Sequence, residues 1–526
     1  MAKKILTAFI ALSLFINGHG LAQTPGWYLL DLQKDSVFGI SVTKVYDGLL
    51  KGKTPRPVIV AVIDSGIDTT HEDLSSVLWS NPKEIPGNGK DDDNNGYIDD
   101  IHGWSFIGGP GGNVGLDNLE MTRIVRERRA FYDSLSMEKV PTAYLSGYQQ
   151  FRKIKSEFDD KHEQAVATFE KSEVIKLTLD SMVIKIGNTN PTLADFQKYD
   201  PVGEQEQSVK RGIIRQLTSD PDFPGFMKKL NDVYEKSKKS VYYQLNLKFD
   251  PRNIVGDDYH NKAQRNYGCN DIYGPHSSHG THVSGIIAAN RNNAIGMNGI
   301  ADNVRIMAIR VVPDGDERDK DVANGIRYAV DNGAQIINLS FGKNLSPDKK
   351  IVDDAVKYAM SKDVLIIHAA GNEGKDMDDP SNNVYPNKYY TDGGEANAWI
   401  TVGASGWHDD STLAAPFSNY GKNTVDVFAP GVKIYATLPG SKYGFQNGTS
   451  MAAPVVTGLA ALIREYYPRI KAGQVKDILL QSVTKVQRMI ILPGTQSDPV
   501  QRLFTELCVS GGVVNAFNAM KLAATY

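Results

Sequence analysis

The sequence predicts an α/β fold: a parallel sheet covered by helices on both faces, with an all-helical module inserted into it. Three observations carry that expectation. Short β-branched runs alternate with segments of helical period from residue 303 onward. An equally apolar run, VIVAVID, stands far upstream at 58–64. The stretch 117–247 between them is rich in charge of both signs and keeps a helical period.

Taken in order, residues 1–22 open with Lys3 and Lys4, continue through an apolar run over 5–16, and end in Gly20-Leu21-Ala22. That is the pattern of a secretory signal peptide, too short to span a bilayer. It implies a secreted or periplasmic protein with no stable membrane association. Residues 23–56 read as a short N-terminal extension. Residues 57–116 form the first part of the core, and 58–64 is its first strand, delivering Asp64 to a sheet edge. In 117–247, Tyr148, Phe151, Ile154, Phe158, Ala165 and Phe169 recur at helical steps, an apolar stripe on one face of a long helix. Thr192 with Asp195 forms a capping-box pattern, and Pro221 and Pro224 punctuate helical stretches at 206–217 and 226–247. About four or five helices are expected in this module.

The second part of the core, 248–526, has predicted strands at 305–312, 334–340, 364–369 and 399–404, with helices at 322–332 and 349–361 between them. Strands alternating with helices make a parallel sheet buried on both faces.

Composition narrows the partners. The chain has 526 residues, 41% of them apolar and 23% charged, and a net charge of −3, so neither a nucleic-acid nor an anionic-membrane partner is expected. Of its two cysteines, Cys269 and Cys508, neither stands before a fitting histidine as a thiol nucleophile would, and their spacing leaves open whether they pair.

Three short motifs carry the chemistry. VIVAVIDSGIDTTHEDL (58–74), HSSHGTHVSGIIAA (276–289) and NGTSMAAPVVTGLAAL (447–462) supply Asp64, His279 and Ser450 in that order. Apolar runs of helical period follow His279 and Ser450, which places both at helix N-termini. A serine hydroxyl needs a base within hydrogen-bond reach and a third group to hold that base, and these three residues fit those roles. His282 follows His279 by three residues but lacks the Glu and the spacing of the His-Glu-x-x-His zinc signature, so it reads as structural, as do His71, His102, His276 and His368.

The order Asp, His, Ser and the residues around each resemble the subtilase family of serine proteases. The resemblance extends over roughly 56–107 and 252–520 and skips the helical stretch. It implies a subtilisin-like core and a serine endopeptidase acting on polypeptides through an acyl-enzyme. Asn372, in AAGNEG, matches the oxyanion asparagine of the family. Ser340, Phe341 and Gly342 resemble its substrate-pairing edge, with Phe341 where Leu is more familiar, and Gly371 matches a residue lining the pocket for the side chain before the scissile bond. Asp73 and Asn293 match ligands of a calcium site. A second calcium candidate, Asp91, Asp93, Asn95 and Asp99, rests on loop spacing with a glycine at the sixth position. His102 replaces the bidentate Glu expected at position twelve, and a solvated acidic turn is the competing reading. The usual prodomain is not seen in 23–56, so latency would be arranged differently.

The helical module reads either as decoration or as a lid controlling access. A restricted maturation protease and a binder without activity are the rival functions. A monomer is expected.

Overall fold

The computed structural model describes residues 24–135 and 140–526, so the expected signal peptide at 1–22 lies outside the described residues. The main sheet is built from Val58–Asp64 (β1), Gly103–Ser105 (β2), Val304–Arg310 (β3), Ile336–Leu339 (β4), Leu365–Ala369 (β5), Trp399–Ser405 (β6) and Val427–Pro430 (β7). A hairpin, Ile434–Leu438 (β8) with Lys442–Gln446 (β9), stands apart from it, and Thr484–Lys485 (β10) and Gly512–Val513 (β11) complete the sheet. Its order is β10-β11-β7-β6-β5-β4-β1-β3-β2, parallel except where β10 joins. The register sets Ile63 beside Leu339 and Asp64 beside Arg310. The C-terminal ends of β1, β4 and β5 therefore emerge at one edge, where an α/β sheet presents its site.

The helices of six residues or more are Glu120–Tyr132 (α1), Thr142–Ile186 (α2), Leu193–Lys198 (α3), Gly203–Ser219 (α4), Phe223–Lys239 (α5), Ser278–Ala288 (α6), Asp319–Asp331 (α7), Lys349–Ser361 (α8), Thr449–Tyr466 (α9), Ala472–Gln481 (α10) and Ala516–Ala523 (α11). Strand periodicity sorts the core into two layers. Val60, Val62, Ile306 and Leu365 pack with α6, α9, α10 and α11 on one face. Ala61, Ile63, Met307 and Ile366 pack with α7 and α8 on the other. The segment 27–50 also belongs to the first layer, with Trp27, Tyr28, Ile40 and Val45 buried in it.

Helix α2 runs for 45 residues, about 67 Å. Of the expected stripe, Tyr148, Phe151, Ile154, Phe158 and Phe169 are buried and Ala165 is half-buried. Near α1, Ile154 and Phe158 meet Met121, Ile124 and Leu245; at the far end Leu179 and Met182 meet Phe196, Ile213 and Phe223. The capping box forms: Thr192 Oγ1 accepts from the Asp195 amide, and Asp195 Oδ2 accepts from the Thr192 amide at 2.8 Å. Helix α5 starts at Phe223, earlier than expected, with Pro224 inside its first turn and the Asp222 side chain capping it. Proline is tolerated there because the first-turn N–H groups have no intrahelical partner. Cys269 and Cys508 are unpaired, Cys508 being buried beside Phe428 and Phe504.

Candidate active site

Asp64 ends β1 and is 1% exposed, its Oδ1 accepting from the Ser65 amide at 2.7 Å. Helix α6 begins one residue before His279 and approaches the strand closely at Gly280. A Cβ there would lie 2.3 Å from the Gly66 carbonyl oxygen and 3.2 Å from Asp64, so only glycine allows this approach. The His279 Nδ1 atom then lies 2.8 Å from Asp64 Oδ1 and 3.0 Å from Oδ2. A carboxylate partner requires the proton on Nδ1, which leaves the Nε2 lone pair free to act as a base. Burial pulls the imidazole pKa down, but the charge and hydrogen bond of Asp64 outweigh it and hold the pKa above its ordinary value.

Ser450 is the second residue of α9, which starts after Gly448 at φ +151°. Its Oγ donates to the Ser340 carbonyl at 2.9 Å. A buried chain fixes that neighbourhood: Thr457 Oγ1 donates to Asn338 Oδ1, Asn338 Nδ2 to Ser340 Oγ, and Ser340 Oγ to the Ser450 carbonyl, at 2.8, 2.9 and 3.0 Å. Nothing in the motifs pointed to Asn338 or Thr457, since the bond that joins them spans 119 positions of sequence.

Asn372 follows β5. Its Oδ1 accepts from the Thr449 amide at 2.8 Å and from Thr449 Oγ1 at 3.0 Å, which turns the side-chain NH₂ toward the cleft. Asp64, His279, Ser450, Asn372, Ser340, Phe341 and Gly342 line one open cleft. Gly371 sits behind it at φ +102°, its amide donating to Thr449 Oγ1. The Phe341 carbonyl faces inward to His368 Nε2 at 2.9 Å, and burial pulls His368 down to about 4, so the neutral ring donates and pins this edge. His282 is buried with Nε2 against the Ile434 and Gly444 carbonyls, holding the β8–β9 hairpin.

The two calcium candidates differ. Asp73 and Asn293 are adjacent: Asp73 Oδ1 accepts from Asn293 Nδ2 at 2.6 Å, and Oδ2 from the Met297 amide and the Tyr443 hydroxyl. In the second candidate, Asp91 and Asp93 converge with Glu84, which loop spacing did not include. Glu84 Oε1 accepts from the Asp92 and Asp93 amides, while Oε2 is buried with no hydrogen-bond partner. No Lys or Arg pairs with these three among the described residues. An orphaned carboxylate oxygen among three acids fits a hard cation. Asn95 holds the turn through Tyr97, and Asp99 stands apart, holding the amides of Gly87, Asn88 and Gly89.

Residues 56–495 match the model of the subtilase family. A thermophilic serine proteinase of Bacillus sp. strain AK1 is 43% identical over 188 residues, 36% of this chain and 42% of that protein. Subtilisin NAT of Bacillus subtilis subsp. natto is 32% identical over 353 residues, 65% of this chain and 85% of that protein. Subtilisin BL of Lederbergia lenta is 39% identical over 211 residues, 40% of this chain and 71% of that protein. With a parallel sheet flanked by helices and a family match over most of its length, the chain belongs to the subtilase family and is a serine endopeptidase.

Proposed function

We propose that this endopeptidase is exported, stabilised by calcium, and cleaves polypeptides with Ser450 as nucleophile, His279 as base and Asp64 as the group that holds the base. The observation that carries this reading is the bond from His279 Nδ1 to both oxygens of Asp64 in the cleft that Ser450 lines. For attack, the Ser450 hydroxyl turns from the Ser340 carbonyl to His279 Nε2, which takes its proton as Oγ adds to the scissile carbonyl. Asp64 stabilises the imidazolium. The oxyanion meets Asn372 Nδ2 and the Ser450 amide at the N-terminus of α9. His279 then gives its proton to the leaving amine, and water hydrolyses the acyl-enzyme by the same route.

The substrate adds as a strand along Ser340, Phe341 and Gly342, and Gly371 backs the pocket for the residue before the scissile bond. Calcium is assigned to Glu84, Asp91 and Asp93, where it would supply positive charge to a carboxylate oxygen otherwise unpartnered. The signal-peptide pattern of residues 1–22 supports export, and among the described residues no helix is long and apolar enough to cross a membrane. The stretch 117–247 is read as a module inserted between the two parts of the core.

The test is labelling of the purified protein by a fluorophosphonate probe, with Ser450→Ala as control. Labelling confined to the chain with Ser450 supports the reading; equal labelling of both, or none of a folded protein, refutes it.

A further inference from the structure

At the edge where β1 and β3 begin, opposite the edge that carries the cleft, three segments meet. They are the stretch 46–56, the turn 300–303 and the last turn of α9. The Arg56 amide donates to the Glu465 carbonyl at 2.9 Å, the Tyr46 hydroxyl to the Ile300 carbonyl at 3.0 Å, and Asn303 Nδ2 to the Pro55 carbonyl at 3.3 Å. Glu465 lies at this junction and is 1% exposed. Its Oε1 accepts from the Asn303 amide at 2.9 Å, while Oε2 is buried with no donor among the described residues. The side chain within hydrogen-bond reach of Glu465 is a second carboxylate, Asp302. Asp302 already accepts from the Tyr466 hydroxyl, at 3.1 Å from Oδ2. Two ionised carboxylates only accept, so a bond between them requires a proton on one. Since Asp302 is the acceptor for Tyr466, Glu465 is the acid placed to donate.

Among the described residues neither acid has an ion pair, and the cations of the surrounding segments are turned elsewhere. Arg464, which precedes Glu465 on α9, pairs with Asp363 at 3.0 Å. Arg291 lies 3.9 Å from the centre of the Tyr46 ring and donates to the Gly299 carbonyl. Lys53 Nζ donates to the Tyr467 hydroxyl, Arg305 Nη1 to the Val304 carbonyl, and Arg56 is exposed. Burial, then the hydrogen bond and charge of Asp302, hold the Glu465 carboxyl well above its ordinary 4.5. Burial pushes Tyr46 and Tyr466 up as well, so both hydroxyls stay neutral donors.

We propose that the folded enzyme keeps one proton on Glu465 Oε2, donated to Asp302, and that this proton is a pH-sensitive latch holding 46–56 onto the start of the sheet. Its loss leaves two facing carboxylates without a cation in a buried junction, and the latch loosens. The unfolded chain releases the same proton near 4.5. The contribution of the latch to stability is therefore complete below that pH and is lost as pH rises through the folded value.

The experiment measures chemical denaturation of the full chain carrying Ser450→Ala, which prevents self-digestion, with a chelator present throughout. The same chain with Glu465→Gln added, and with Asp302→Asn added, is measured alongside. Glu465→Gln keeps a donor toward Asp302 but removes the titrating proton; Asp302→Asn supplies a donor to Oε2. The unfolding constant of the parent relative to Glu465→Gln should rise by about tenfold per pH unit, in the window where only the unfolded chain has released the proton. Asp302→Asn should show a smaller rise than the parent. A parent and Glu465→Gln chain whose stabilities keep a constant ratio across pH overturn the proposal, as does Asp302→Asn with the full slope of the parent. Amide hydrogen exchange over 45–58, compared at matched pH, should be faster in the parent than in Glu465→Gln in alkali and equal in acid. Equal exchange at both ends overturns the latch on this segment.

Discussion

The Nδ1 atom of His279 lies 2.8 Å from Asp64 Oδ1 and 3.0 Å from Oδ2, joining residues 215 positions apart. Asp64 raises the histidine above its ordinary value of 6.5 against the pull of burial. A raised pKa keeps the ring charged to higher pH, and only the neutral ring takes the serine proton. The acid limb of kcat/KM should therefore have its midpoint above 6.5. In Asp64→Asn the limb should move down, with kcat lowered by about 10⁴. A pH–rate profile checks both, and a limb unmoved by the substitution would count against the pairing.

Asn372→Ala removes a side-chain donor while leaving the base and nucleophile in place. Turnover should fall by about 10²–10³, the loss seen for one oxyanion donor in subtilisin, with KM little changed. A comparable rise in KM with kcat intact would instead mark Asn372 as a ground-state binding residue.

Thr457→Val tests the buried chain behind the nucleophile. It leaves Asn338 Oδ1 without its donor in a fully buried site, and should cost about 1–3 kcal/mol of stability. Chemical denaturation measures this, and a change near zero would mean the chain relaxes around the missing hydroxyl.

Chelation should lower the Tm of the wild-type protein, because a cation bound only by the folded state stabilises it by about 3 kcal/mol at a hundredfold excess over Kd. Glu84→Gln should lower the Tm and shrink the chelator effect. Asp99→Asn, outside the cluster, should leave that effect at full size. If Asp99→Asn shrinks it instead, the cation sits near Gly87 and Gly89.

The sequence was most legible where one element carries its own signal. The alternation of VIVAVID, the helical runs after His279 and Ser450, and the stripe from Tyr148 to Phe169 depend on neighbours within a turn or a pleat. The start of α5 was misplaced because Pro224 reads as a stop, whereas in the first turn it removes only an amide with no partner. The short strands Gly103–Ser105, Thr484–Lys485 and Gly512–Val513 escaped notice because two or three residues carry no period.

By itself the sequence determined the fold class, the family, and which aspartate, histidine and serine are candidates, because local periodicity and residue order record these directly. Only the tertiary structure decided that Glu84 rather than Asp99 joins Asp91 and Asp93, that Ser450 rests on the Ser340 carbonyl, and that Lys343, next to Gly342, pairs with Glu120 of α1. The physical reason is the same in each case. A hydrogen bond or ion pair depends on positions to within a fraction of an ångström, and packing of distant elements sets those positions.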